Sequence, residues 1–143
     1  MTIMKKTTAI TIATTLGVSI IAALADDSTS TATLPPDSTK TGVTYATDIK
    51  PIFDAACVKC HDGTKPKVAA KLALDTLEGA LKGDRHGKVI IPGDSAKSDL
   101  VLAVAHVGDP DTFMPKGKKG QPPGKLSDEQ IGLIRAWIDQ GAK

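Results

Sequence analysis

Aromatic residues are scarce in this sequence. They make up 3% of its 143 residues, as one tyrosine, one tryptophan and two phenylalanines. A chain of this length suits one domain, but it has little aromatic bulk with which to fill a core. A bulky bound group would supply apolar volume, although a shortage of aromatics does not by itself establish one.

The sequence also lacks an excess of charge. It has 18 basic and 16 acidic residues, a formal net charge of +2. Lys5 and Lys6 lie in a segment that we expect to be removed, and without them the 16 remaining basic residues equal the 16 acidic ones. A chain without a basic surplus is not expected to bind nucleic acid.

Long apolar runs are missing except near the N-terminus. Lys5 and Lys6 precede an apolar to weakly polar stretch over residues 7–24, and Ala23-Leu24-Ala25 is an A-x-A cleavage site. This pattern predicts a cleaved signal peptide over residues 1–25 and a periplasmic or secreted protein. The alternative is a retained membrane anchor, which the interspersed threonines and the absence of basic residues after the run disfavour. The mature chain is predicted to have no stable membrane span.

Residues 26–42 are rich in Ser, Thr, Asp and Pro. Such a composition buries too little apolar area to offset chain ordering, so it predicts a disordered linker before a folded domain at 43–143.

The domain pattern predicts an all-α fold of about four short helices. The first helix is predicted to start near Thr47 or Asp48, the second to span 76–81, the third 95–106, and the last to follow Ser127. Apolar residues at helical spacing define the buried faces of the first and last helices: Ile49, Ile52, Phe53 and Ala56; Ile131, Ile134, Trp137 and Ile138.

The only two cysteines lie in Cys57-Val58-Lys59-Cys60-His61. This C-x-x-C-H motif is typical of covalent attachment of haem c, because two thiols one helical turn apart can bond to the two vinyl groups. His61 would then lie beneath the iron and bind it. The motif predicts one covalently attached haem, with its iron as the bound metal.

Three other interpretations compete with haem attachment. A thioredoxin-like pair needs a βαβ context. A zinc site would combine both cysteines with two of His61, His86 and His106. A plain disulfide is compatible with export. The export signal, and His61 directly after Cys60, favour haem.

Met114 is the only methionine beyond the predicted signal peptide. It lies in an irregular segment before Pro115, from which a loop can bring the thioether to the iron as a second axial ligand. The alternative is that Met114 fills a gap in the core. His106 and His86 are the other candidate ligands.

With these residues in place, the sequence resembles the class I cytochromes c, in particular planctomycete-type cytochrome c domains. The matching pieces span roughly Tyr45 to Ala142: Asp48-Ile49-Lys50-Pro51-Ile52-Phe53, Cys57-Val58-Lys59-Cys60-His61-Asp62, Leu72-Ala73-Leu74-Asp75-Thr76, Ile91-Pro92-Gly93-Asp94-Ser95, Ser98-Asp99-Leu100, Met114-Pro115, and Leu126-Ser127 through Ala142. One departure is the loop at residues 115–125, which is longer than the usual Met-Pro-Pro stretch of the family.

The resemblance implies covalent haem at Cys57 and Cys60 and axial ligation by His61 and Met114. It also implies that the first helix crosses the last, with Phe53 and Trp137 at the crossing. By analogy with the same family, the carbonyl of Pro66 is expected to accept a hydrogen bond from the other ring nitrogen of His61.

The expected function is transfer of single electrons between redox protein partners, without enzymatic activity. A peroxidase or gas sensor would need an open sixth position on the iron, and a zinc- or disulfide-stabilised interaction domain would contain no haem. A lysine cluster beside Met114 is either a solvated loop or a docking patch for an acidic partner: Lys116, Lys118, Lys119 and Lys125.

Overall fold

The computed structural model describes residues 33–143, so the predicted signal peptide lies outside the described residues. Four α-helices follow one another: α1 (Lys50–Ala56), α2 (Leu77–Lys82), α3 (Asp99–Ala105) and α4 (Asp128–Asp139). Single turns of π- or 3₁₀-helix lie between or before them, at Tyr45–Ile49, Ala69–Lys71, Ser95–Lys97 and Pro110–Thr112. This part of the chain contains no strand, which confirms the all-α prediction. None of its helices combines the length and the apolar character needed to cross a membrane.

Side chains cap the starts of α2 and α4, close to the positions that the sequence predicted. Thr76 accepts a hydrogen bond from the backbone N–H of Gly79 (3.1 Å), and Gly83 ends α2 at a φ of +91°, where glycine has no steric penalty. Ser127 and Gln130 form a capping box at the start of α4, which begins directly after Ser127 as predicted.

The first and third helices differ from their predicted bounds. A turn of π-helix, Tyr45–Ile49, precedes α1. Thr44 caps this turn, and its hydroxyl accepts a hydrogen bond from the N–H of Thr47. The predicted third helix, 95–106, is divided, because Asp94 caps a 3₁₀ turn and the extended backbone of Ser98 separates it from α3. Helical periodicity does not predict this break, because the buried residues of α3 keep helical spacing on its C-terminal side.

An aromatic cluster joins the first helix to the last. Tyr45, Phe53 and Trp137 have ring centroids 5.9–6.4 Å apart, and the Phe53 and Trp137 rings meet edge to face. These two residues, which the family resemblance placed at the helix crossing, are both fully buried. Three of the four aromatic side chains therefore hold this end of the core, and the apolar stripe of α4 packs beside them.

Residues 34–40, here called the N-terminal strap, lie across α4 without forming a helix or strand. The backbone N–H of Ser38 donates to the Gly132 carbonyl (2.9 Å), and Gln140 Nε2 donates to the Lys40 carbonyl (2.8 Å). Arg135 donates to the Pro35 carbonyl. The described part of the predicted linker thus packs against the domain, whereas the domain boundary at residue 43 stays a prediction.

Gly132→Ala is expected to release the strap while leaving the domain folded. A Cβ at this position would lie 2.7 Å from the Pro36 carbonyl oxygen, too close for either backbone to accommodate without moving. Release would lose the three hydrogen bonds between the strap and α4, about 1 kcal/mol each, and the gain of about 1 kcal/mol in helix propensity offsets part of this loss. Limited trypsin digestion should therefore cut faster after Lys40, with the global unfolding free energy lower by about 2 kcal/mol. Cleavage after Lys125 is the internal reference, and equal acceleration at both sites would contradict local release.

Candidate functional site

A cavity of about 490 Å³ lies beside α1 and α3. Its size falls within the roughly 300–1,000 Å³ typical of sites for cofactors and small ligands. Apolar side chains form most of its wall: Phe53, Ala70, Leu72, Leu74, Val89, Leu100, Leu102, Ala103, Val104 and Val107. Three of the four predicted site residues also line it, namely Cys57, His61 and Met114.

The two cysteines lie on the turn that ends α1. The N–H of Cys57 closes the helix on the Phe53 carbonyl (2.8 Å), and the N–H groups of Cys60 and His61 both donate to the Cys57 carbonyl (3.1 and 3.0 Å). This turn leaves Cys57 half-buried on the cavity wall and Cys60 exposed and off it. Both thiols are free. Burial raises the pKa of the Cys57 thiol to about 11, so it is neutral at pH 7.

His61 is buried, and its backbone and ring are both held. Its Nδ1 lies 3.0 Å from the Leu72 carbonyl oxygen. A carbonyl can only accept, so Nδ1 carries the proton and Nε2 keeps a free lone pair. The His61 carbonyl in turn accepts from the N–H of Leu74 (2.7 Å). The ring is therefore prepared to bind a metal through Nε2.

The prediction that Pro66 accepts the His61 hydrogen bond is wrong. Pro66 is exposed. It lies just after a turn in which the Asp62 carboxylate accepts hydrogen bonds from the N–H and the hydroxyl of Thr64. The chain then returns through Ala69, whose N–H donates to the Cys60 carbonyl (3.0 Å), and brings Leu72 to the ring. Because any residue can present a backbone carbonyl, the sequence carries no signal for this partner.

Met114 reaches the cavity from the loop that follows α3. Its side chain is half-buried, its N–H donates to the Ala103 carbonyl (3.1 Å), and its own carbonyl lies 3.1 Å from His106 Nε2. The two other candidate ligands, His86 and His106, do not line the cavity. His86 is exposed and accepts a hydrogen bond from its neighbour Arg85.

The competing interpretations of the cysteine motif find no support within residues 33–143. No group of three or more His, Cys, Asp and Glu side chains there is placed to hold a metal ion, as the zinc alternative requires. The cysteines form no disulfide, and the βαβ context of a thioredoxin-like pair is absent from the described chain.

The charged residues at the cavity are acidic. Asp84, Asp99 and Asp109 contribute to its lining, whereas no lysine or arginine of the described chain does. The lysine cluster on the loop after Met114 lies off the lining, and two of its members have local partners: Lys116 donates to the Asp111 carbonyl, and Lys125 pairs with Asp128 (3.6 Å). The docking role of these lysines stays a hypothesis.

Residues 57–117 match the family model described as Planctomycete cytochrome C. This match supports a planctomycete-type cytochrome c domain in this part of the chain. The match begins at the first cysteine and extends past Met114, so it includes every predicted site residue and most of the cavity wall. Searches of curated proteins and of solved structures found no match.

A cytochrome c domain holds haem covalently, and the residues present fit that group. The motif supplies two free thiols for attachment, and His61 presents an imidazole whose tautomer leaves Nε2 available. The cavity offers apolar walls to a flat, apolar macrocycle.

Tyr45 connects the aromatic cluster to this site and was not singled out as a functional residue from the sequence. Its hydroxyl donates to the Leu74 carbonyl (2.9 Å), and Leu74 N–H donates to the His61 carbonyl. Burial, and to a smaller degree the negative charges of Asp54 and Asp75, raise the pKa of Tyr45 to about 12. Tyr45 is therefore held in its neutral, donating form.

Tyr45→Phe is expected to lower stability near neutral pH and to weaken its dependence on alkaline pH. Loss of the donor leaves the Leu74 carbonyl without its partner, a cost of about 1–3 kcal/mol. In the wild type, the Tyr45 pKa is about 10 unfolded and about 12 folded, so its contribution is complete below pH 10 and is lost between pH 10 and 12.

Urea unfolding of the haem-loaded proteins, followed by far-UV circular dichroism at several pH values, tests this expectation. Wild-type unfolding free energy should fall more steeply than that of Tyr45→Phe between pH 10 and 12. Because Tyr45 is the only tyrosine, the difference reports this side chain alone. Parallel curves for the two proteins would refute the assignment.

Proposed function

We propose that this protein is an exported monohaem cytochrome that carries single electrons between redox protein partners. In this proposal Cys57 and Cys60 attach one haem c, and His61 and Met114 are the axial ligands of its iron. The observation that carries the proposal is that one apolar cavity gathers Cys57, His61 and Met114. Met114 comes from a chain segment far from the motif, so local sequence cannot account for their meeting.

The cysteine turn would supply the covalent attachment. Each thiol adds across a vinyl double bond, so that a C–S bond forms and the thiol hydrogen passes to the neighbouring carbon without any oxidant. Cys57 offers its sulfur inside the cavity, and Cys60 offers the second one a turn later, at an exposed position. The two thiols of the motif therefore lie at the cavity wall and on the solvent side of it, respectively.

His61 would hold the iron in a fixed orientation. The hydrogen bond from Nδ1 to the Leu72 carbonyl stops the ring from rotating and makes Nε2 a stronger donor to a metal. When bound, the haem supplies the reversible change between ferric and ferrous iron. The protein would contribute the ligands, apolar walls that exclude water, and a ligand geometry that changes little between the ferric and the ferrous state.

Met114 would complete the iron's coordination. A thioether ligand favours ferrous iron and so raises the reduction potential. With His61 and Met114 both bound, no position remains open for substrate, which supports a carrier without enzymatic activity over a peroxidase or gas sensor. Those two alternatives need an open or easily displaced sixth position.

The predicted signal peptide supports export of this carrier to the periplasm or beyond. Its expected partners are other redox proteins, and the balanced charge gives no reason to expect nucleic acid binding. The three aspartates lining the cavity bear on partner choice, because an exposed haem edge beside them would favour a partner with a basic surface.

The visible spectrum of the purified protein tests the ligand set directly. We expect a c-type spectrum in the oxidised and reduced states, with a weak far-red band from ferric iron bound to thioether sulfur. Met114→Ala should lose that band and keep the attached haem, whereas His86→Ala, an exposed histidine off the cavity, should keep both. A c-type spectrum without the band would point to His106, His86 or an open sixth position, and the last of these would favour an enzyme or sensor. Absence of haem from a host able to attach it would refute the proposal.

The double variant Cys57→Ala/Cys60→Ala is expected to leave a largely unfolded chain. Apolar side chains form most of the wall of a cavity of about 490 Å³, and without haem this cavity would lack the group that fills it. An unfilled apolar cavity forfeits packing contacts on every wall, and a small domain has little stability to lose. Thermal scans beside the wild type should show no cooperative transition. A sharp transition in the variant would show that the core is stable without haem.

A further inference from the structure

His106 lies at the C-terminal end of α3, in a backbone conformation that few residues adopt. Its φ and ψ are +58° and +46°, the left-handed region, and it is not glycine. Its N–H still bonds back to the Ala103 carbonyl (3.4 Å), so the helix ends at this residue and the chain turns towards Phe113 and Met114. The conformation aims the imidazole at the loop that carries Met114.

The imidazole binds the backbone of Met114 itself. His106 Nε2 lies 3.1 Å from the Met114 carbonyl oxygen, and since a carbonyl only accepts, Nε2 carries the proton and donates. The N–H of Met114 donates to the Ala103 carbonyl (3.1 Å). Both backbone polar groups of Met114 are therefore bonded to the last turn of α3 and its cap.

A second contact fixes the plane of the His106 ring. The imidazole stacks on the Phe113 ring with a centroid distance of 4.6 Å and an angle of 2° between the planes. Phe113 directly precedes Met114, so the ring touches two consecutive residues of the loop by different means. No other aromatic residue of the described chain contacts this loop through a ring pair.

We propose that His106 is a positioning residue for Met114, which it holds so that the thioether remains in the cavity. This inference rests on the proposed function, in which Met114 binds the iron. His106 is not itself a ligand in this scheme, because it does not line the cavity and its Nε2 is engaged by the Met114 carbonyl. Removing the donor should raise the fraction of molecules in which Met114 has left the iron and an external ligand can enter.

The experiment is a titration of the haem-loaded ferric protein with imidazole, followed through loss of the far-red band. His106→Phe keeps a ring that can stack on Phe113 but has no donor, whereas His106→Gln keeps an N–H donor. Loss of one neutral hydrogen bond predicts imidazole affinity on the order of five-fold higher for His106→Phe than for wild type. His106→Gln should fall between the two, and the control His86→Gln should match wild type.

Equal imidazole affinity for wild type and His106→Phe would overturn the inference, and the far-red band would then still support the proposed function. A wild type without the band, or a band that survives in Met114→Ala, would instead refute Met114 as a ligand and the inference with it. If His106→Phe does not fold by circular dichroism, His106→Gln and His106→Glu replace it. These side chains are equal in size, and only glutamine donates, so equal affinities in this pair would also overturn the inference.

Discussion

The segment Leu72–Leu74 holds His61 by its ring and by its backbone, and the site depends on these two hydrogen bonds. The Leu72 carbonyl accepts from Nδ1, and Leu74 N–H donates to the His61 carbonyl. The first bond selects the tautomer that leaves Nε2 free, and the second fixes where the cysteine turn meets the cavity wall. Leu72 and Leu74 are also buried core residues that line the cavity, so the same short segment shapes the pocket and orients the ligand.

The aromatic cluster extends this constraint to the rest of the domain. Tyr45 links the Leu74 carbonyl to Phe53 and Trp137, and Trp137 brings in α4, over which the N-terminal strap lies. With few aromatics available, the chain places three of them where the first and last helices meet. The cavity is left to aliphatic side chains and Phe53, which is consistent with a core that a bound macrocycle completes.

The two predicted iron ligands are held by different means. His61 follows directly on a motif whose spacing is fixed along the chain, and its orientation comes from neighbouring backbone. Met114 lies on a loop, where regular secondary structure imposes no position, and its backbone is bonded to the end of α3 and to His106. A ligand carried by a loop depends on such supports because no helix or strand holds its backbone.

The sequence by itself determined the features that depend on local chemistry. The C-x-x-C-H motif, the helix start at Ser127, and the buried stripe of α4 follow from residue type and spacing, which act over one or two helical turns. The tertiary structure decided which backbone groups meet those residues. The carbonyl of Leu72, not that of Pro66, accepts the hydrogen bond from His61. His106 binds the backbone of Met114, although the sequence offered it as a ligand. The strap packs on Gly132, although its composition predicted a linker. A backbone carbonyl leaves no signature in residue type, and a glycine such as Gly132 permits a close approach without naming the segment that approaches. Both kinds of contact are set only when distant segments of the chain pack together.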